Sequence, residues 1–142
     1  MSNLPKISPS EWFLLSQLIP FSLALALVLK LAALSRLIGI MARCAVMPWF
    51  SFLPLLHGRH EMARLRDLVE MATTVTHGQK RCLPRSLLLF WLLEARGEPA
   101  TLVIGVSKSA ATLESHAWIE TRGKVIGDSP KITGRFVTLL RL

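Results

Sequence analysis

With 142 residues, the chain is long enough for one domain, or one domain plus an attached helical region, and for a core burying about two thirds of the unfolded surface. At 51% hydrophobic and 18% charged residues it is greasier than an ordinary soluble domain. Its net charge of +8 suits anionic lipid or an acidic peptide, whereas the lack of a basic run with interleaved aromatics argues against nucleic acid.

The two cysteines, Cys44 and Cys82, form no CxxC and no zinc spacing. Two free thiols in a reducing cytoplasm are a simpler reading than one cross-link. The N-terminus has neither the basic n-region nor the small-residue cleavage site of a signal peptide.

In chain order, residues 1–7 are a polar lead. Ser8-Pro9-Ser10-Glu11 starts a helix, with Ser8 as N-cap, Pro9 at the first helical position and Glu11 completing a capping box. Residues 12–29 carry no charge and just reach transmembrane length. Ser16, Gln17 and Ser22 interrupt that run, Pro20 is expected to kink it, and Lys30 closes it. Lys30, Arg36 and Arg43 then recur at the spacing of a second, basic amphipathic helix over residues 30–46. Three readings of residues 12–46 stand open: packing on the core of the chain, peripheral contact with a membrane surface, or a true span.

Residues 47–58, with two prolines and a glycine, read as an apolar connector. It divides an apolar helical N-terminal region, 1–58, from a core at 59–142. Residues 60–72 predict an amphipathic helix, with Met62, Leu65, Leu68, Val69 and Ala72 on one face. A polar loop is expected over 73–81. Residues 83–95 are apolar around almost the whole helical circumference, the mark of a buried central helix, and Gly97 stops it. A deeply placed strand follows at 101–106, then a polar loop at 108–114 that suits the rim of a peptide cleft. His116-Ala117-Trp118-Ile119-Glu120 and Val125-Ile126-Gly127-Asp128 read as a hairpin. Residues 132–140 predict a weaker closing strand pair, broken at Gly134.

Cys82 at a helix start, His116 on one strand and Asp128 on the next are the parts of a cysteine nucleophile site. A thiolate is the attacking form, and amides at a helix N-terminus favour it, as does a nearby imidazolium. Those amides can also hold an oxyanion. Strand alternation tests the pairing of the other two. A three-residue loop Thr121-Arg122-Gly123 sets His116 opposite Asp128, whereas a two-residue loop sends them to opposite faces and breaks the triad. Trp118 shares the face of His116, and either lines a substrate cleft or packs in the core. Gln79 is a second oxyanion donor candidate. His57, His60 and His77 read as surface residues. No GxGxxG, P-loop or metal-ligand cluster is present, so neither a metal nor any other cofactor is expected.

The Cys-Leu-Pro-Arg-Ser-Leu run at Cys82, the Arg-Gly-Glu-Pro-Ala-Thr-Leu-Val-Ile-Gly-Val segment, His-Ala-Trp-Ile-Glu and Gly-Asp together resemble the transglutaminase-like leader peptidases of lasso-peptide biosynthesis, over roughly residues 60–130. The resemblance implies an α+β, papain-like fold of transglutaminase type, with the Cys82 helix against a small antiparallel sheet. It implies a cysteine peptidase that cuts the leader from a ribosomally made precursor peptide through Cys82, His116 and Asp128. It implies as partners an ATP-dependent macrolactam cyclase and, because the N-terminal half is helical and apolar, a separate small leader-recognition protein. Arg85 belongs to the same motif. Transglutaminase or amidase acyl transfer on this fold, or a non-enzymatic membrane-associated scaffold, are the alternatives.

Overall fold

A computed structural model describes residues 6–31, 60–78, 82–108 and 112–142, and residues 33, 36, 39, 40 and 43 singly. Among the described residues the elements are α1 (Pro9–Leu31), α2 (Met62–His77), α3 (Cys82–Ala95), β1 (Thr101–Lys108), β2 (Leu113–Thr121), β3 (Lys124–Ile126), α4 (Ile132–Arg135) and β4 (Val137–Arg141). The strands form one antiparallel sheet in the order β3-β2-β1-β4. This is the expected α+β arrangement, a helix tipped by Cys82 against a small antiparallel sheet, with an apolar N-terminal helix. The basic helix expected at 30–46 and the connector at 47–58 fall largely or wholly outside the described residues.

The core lies around α3. Leu87 to Leu93 are all buried, as a helix apolar on every side must be. One flank meets Leu102 and Ile119 of the sheet, and the other meets Leu65, Leu68, Val69 and Ala72 of α2 with Leu14, Leu15 and Leu18 of α1. A smaller cluster of Val103, Trp118, Ile132 and Phe136 completes the packing.

The first helix begins as its sequence requires. The Glu11 N–H donates to Ser8 Oγ at 3.3 Å, and the Ser8 N–H returns to Glu11 Oε2 at 2.7 Å, closing the capping box. Glu11 also accepts from Arg64 of α2, and these contacts hold its carboxyl down at about 2. The helix runs through Pro20 to Leu31 without ending there.

Two expectations change. Residues 73–77, read as polar loop, continue α2, with the Thr73, Thr74 and Thr76 hydroxyls donating to carbonyls in the preceding turn. His77 is therefore no loop residue. It is half-buried at the end of α2, with Nδ1 2.7 Å from Thr76 Oγ1 and 3.2 Å from Ser22 Oγ, and its buried Nε2 has no hydrogen-bond partner among the described residues. Residues 132–140 are not a strand pair. Ile132–Arg135 form a helical turn and only Val137–Arg141 pair, against β1.

Candidate active site

Cys82 is the first residue of α3, and Pro84 sits in the first turn, where its missing N–H costs nothing. The half-buried thiol reaches the His116 imidazole, and the two are hydrogen-bonded. That bond, the imidazole charge and the backbone N–H groups of Ala117 and Leu83 hold the thiol below its usual range against the opposing effect of burial. The imidazole is pushed up by the thiol first and then by Asp128. Opposite shifts of this kind favour a thiolate beside an imidazolium.

The amide of Ala117 is available for a topological reason. β3 ends at Ile126, opposite Ile119, so Ala117 lies beyond the last rung of that pair. Its backbone has no strand to bond on that side, and the N-terminus of α3 takes the place of one. The Ala117 N–H points at the Cys82 sulfur, and its carbonyl accepts from the buried Ser86 Oγ at 2.9 Å. Ser86 is one helical turn from Cys82, so the same contact seats the helix tip on β2.

His116 Nε2 lies 2.7 Å from Asp128 Oδ2. With Nε2 engaged there, Nδ1 is the ring nitrogen left for the thiol. This contact is reached by a route other than the one expected from the hairpin. The pairs Ile119↔Ile126, Glu120↔Val125 and Thr121↔Lys124 leave a two-residue turn, Arg122-Gly123, with φ of 48° and 75°. Positive φ at both central residues suits the tight hairpin form. Continued strand alternation from that register would turn Asp128 away. Gly127, at φ 79°, ends the extended run first, so Asp128 departs from the alternation. A Cβ at Gly127 would also come within 3.3 Å of Leu89. The three-residue loop is thus overturned, and the contact it was invoked to explain stands.

Burial alone would raise the Asp128 carboxyl. Hydrogen bonds from His116 and the Ser129 N–H, with the charges of His116 and Arg85, outweigh it and hold the group low. Arg85, whose part the sequence left open, is the second anchor. Its guanidinium donates to Asp128 Oδ2 at 2.8 Å and to Glu70 Oε2 of α2 at 3.1 Å. It lies one turn beyond Cys82, so α3 carries both the thiol and the cation that ties down the far carboxylate.

Behind His116 stands Trp118, only 1% exposed, with ring centroids 6.5 Å apart and planes 21° from parallel. Its Nε1 donates to Glu120 Oε1 at 3.0 Å. Of the two readings of Trp118, the structure shows it packed in the core. Gly105 makes that placement feasible. It sits directly opposite His116, and a Cβ there would lie 2.8 Å from the Trp118 ring and 3.0 Å from Phe136. A glycine inside a strand signals such a close approach, and this one was readable in the sequence.

Two concavities meet at Ser115 and His116. A small one of about 130 Å³ holds Cys82, Leu83 and Ile104. A larger one of about 480 Å³ lies past Asp128 and carries Lys131, Arg135 and Phe136. His60 is half-buried just before α2, where its carbonyl accepts from Arg96 at 2.9 Å, and it lines neither concavity. Cys44, His57 and the oxyanion candidate Gln79 lie outside the described residues.

Neither a curated protein nor a solved structure matches the chain. The transglutaminase-like superfamily does, over residues 25–141. The chain belongs to that superfamily, which includes cysteine peptidases and acyl transferases.

Proposed function

We propose that this member of the transglutaminase-like superfamily is a cysteine peptidase that removes the leader from a ribosomally made lasso precursor peptide, with Cys82 as nucleophile, His116 as acid and base, and Asp128 as the group that orients the imidazole. The observation that carries the reading is the hydrogen-bonded run from the lowered Cys82 thiol through His116 to Asp128 at the tip of α3. The leader peptidase assignment itself comes from the motif resemblance around those residues.

In the reaction, Cys82 Sγ forms a bond to the carbonyl carbon at the leader–core junction. Amides at the α3 N-terminus face the resulting oxyanion. The C–N bond then breaks, and the leaving amine takes the proton held by His116. A thioester to the leader remains. His116 removes a proton from water, the hydroxyl adds to the thioester carbonyl, and the leader acid departs as the thiol is restored. Asp128 keeps the imidazole aligned and stabilises its charged form throughout. The freed core carries a new N-terminal amine, which a partner macrolactam cyclase consumes. A separate leader-recognition protein delivers the substrate.

Mass spectrometry of the full chain incubated with precursor peptide and leader-recognition protein tests this. Two linear fragments whose masses sum to precursor plus one water are expected, and Cys82→Ala lowers the rate at least about a thousandfold. Leader joined to an added amine in place of water assigns acyl transfer instead. Unchanged cleavage by Cys82→Ala removes Cys82 from the nucleophile role.

A further inference from the structure

The two sides of α1 differ in what covers them. Glu11, Leu14, Leu15, Leu18, Ser22 and Leu25 form the inner stripe and are buried. The outer stripe, at the same helical period, is Trp12, Ser16, Pro20, Leu23, Leu27 and Leu31. Of these, Trp12, Leu23, Leu27 and Leu31 are 61%, 54%, 60% and 79% exposed, and Phe13 beside them is 53% exposed. A shallow groove of about 390 Å³ at Ser16, Pro20 and Phe21 runs along this side. An apolar helix face of this extent on a protein surface marks a docking site.

The surrounding charge identifies the occupant. Up to residue 59 the chain has one acidic residue, Glu11, and that carboxylate is buried and ion-paired to Arg64. The cations Lys6, Lys30, Arg36 and Arg43 are all exposed. The outer face thus combines large apolar side chains with Lys6 and Lys30 at the two ends of α1, and the one carboxylate up to residue 59 is buried. That combination suits a bilayer containing anionic phospholipid.

The helix is long and apolar enough to cross a membrane. Its inner face prevents this in the folded protein. Spanning would pull Glu11 from Arg64 and Ser22 from Thr76 and His77, and leave an acid and hydroxyls facing hydrocarbon. We infer that α1 lies flat in the surface of an anionic phospholipid bilayer, its outer stripe in the acyl region and its inner stripe still on α2 and α3. This surface is independent of the peptidase assignment.

Flotation of the full-length protein with phosphatidylcholine vesicles, with and without phosphatidylglycerol, tests the inference. The protein is expected to float with the anionic vesicles, weakly with the neutral ones, and less as salt rises. A Leu23→Glu/Leu27→Glu variant changes only exposed positions, and circular dichroism checks that it stays folded. Its partition coefficient is expected to fall about tenfold or more. Equal binding by the variant, or flotation with neither vesicle, overturns the inference. So does a lipid-free dimer that the same variant dissociates, since the occupant is then a second copy of the chain.

Discussion

Two half-buried histidines differ in what is brought to the ring. His116 touches a thiol and a carboxylate, and its proton affinity is raised. Among the described residues His77 bonds to the hydroxyls of Thr76 and Ser22 and finds no partner for its buried Nε2, and its affinity is lowered by burial. Burial opposes the imidazolium in both places. An anionic partner reverses that at His116, and the want of one leaves it unopposed at His77. A buried ring becomes an acid–base group only where a charge is brought to it, and α3 with the β3 hairpin brings two.

Of the substitutions that probe this contrast, His116→Ala is expected to have the largest effect. Peptide cleavage should fall by about 10²–10⁴-fold. Alkylation of Cys82 by iodoacetamide, followed at that residue by mass spectrometry, should change its pH profile as well. In the intact site the lowered thiol and raised imidazole define a window, with activity lost as pH drops below the thiol's pKa or rises through the imidazole's. Without the imidazole, the Cys82 thiol should rise back toward its ordinary range, and alkylation in mild acid should slow. A profile unmoved by the substitution breaks the contrast between the two histidines at its stronger end.

Arg85→Met should cost less, about ten- to a hundredfold in kcat/KM, through a charged hydrogen bond lost from Asp128. The thiol alkylation profile should move with it, and Arg85→Lys should recover part of both. A merely structural arginine would lower stability and leave the profile in place. Gly105→Ala puts a methyl against Trp118 and is expected to destabilise by about 1–3 kcal/mol in urea unfolding.

The smallest effect belongs to His77. Its lowered pKa means the unfolded chain binds the extra proton more readily, so stability is full above about pH 6.5 and falls as the solution becomes more acidic. His77→Asn should flatten that slope, at a cost of about 1 kcal/mol for the altered hydroxyl contacts. NMR titration should place His77 below the ordinary histidine value and His116 above it. The reverse order would undo the comparison.

The elements that were legible have local signals. The all-round apolar pattern of residues 87–93 identified the central helix, and Ser8, Pro9 and Glu11 identified the start of α1. The hairpin was not legible in detail. Thr121-Arg122-Gly123 fits a loop of two or three residues, and the glycine that mattered for Asp128 was Gly127, not Gly123. The end of α2 was missed because a threonine-rich segment has weak helical preference, and its hydroxyl contacts with Ser22 come from a helix more than fifty residues earlier.

From the order of residues alone came the buried helix, its thiol at the N-terminal tip, and Cys82, His116 and Asp128 as candidates for one constellation, while the family resemblance supplied the α+β class. Folding alone decided how they meet. β3 stops short, and the freed Ala117 amide and carbonyl receive the tip of α3. Gly127 redirects Asp128, and Arg85 reaches it across the gap. Periodicity and caps act over a few neighbours and can be read along the chain. The end of a strand pair, and the partner that replaces it, depend on groups far apart in sequence and exist only once the sheet and helix have packed.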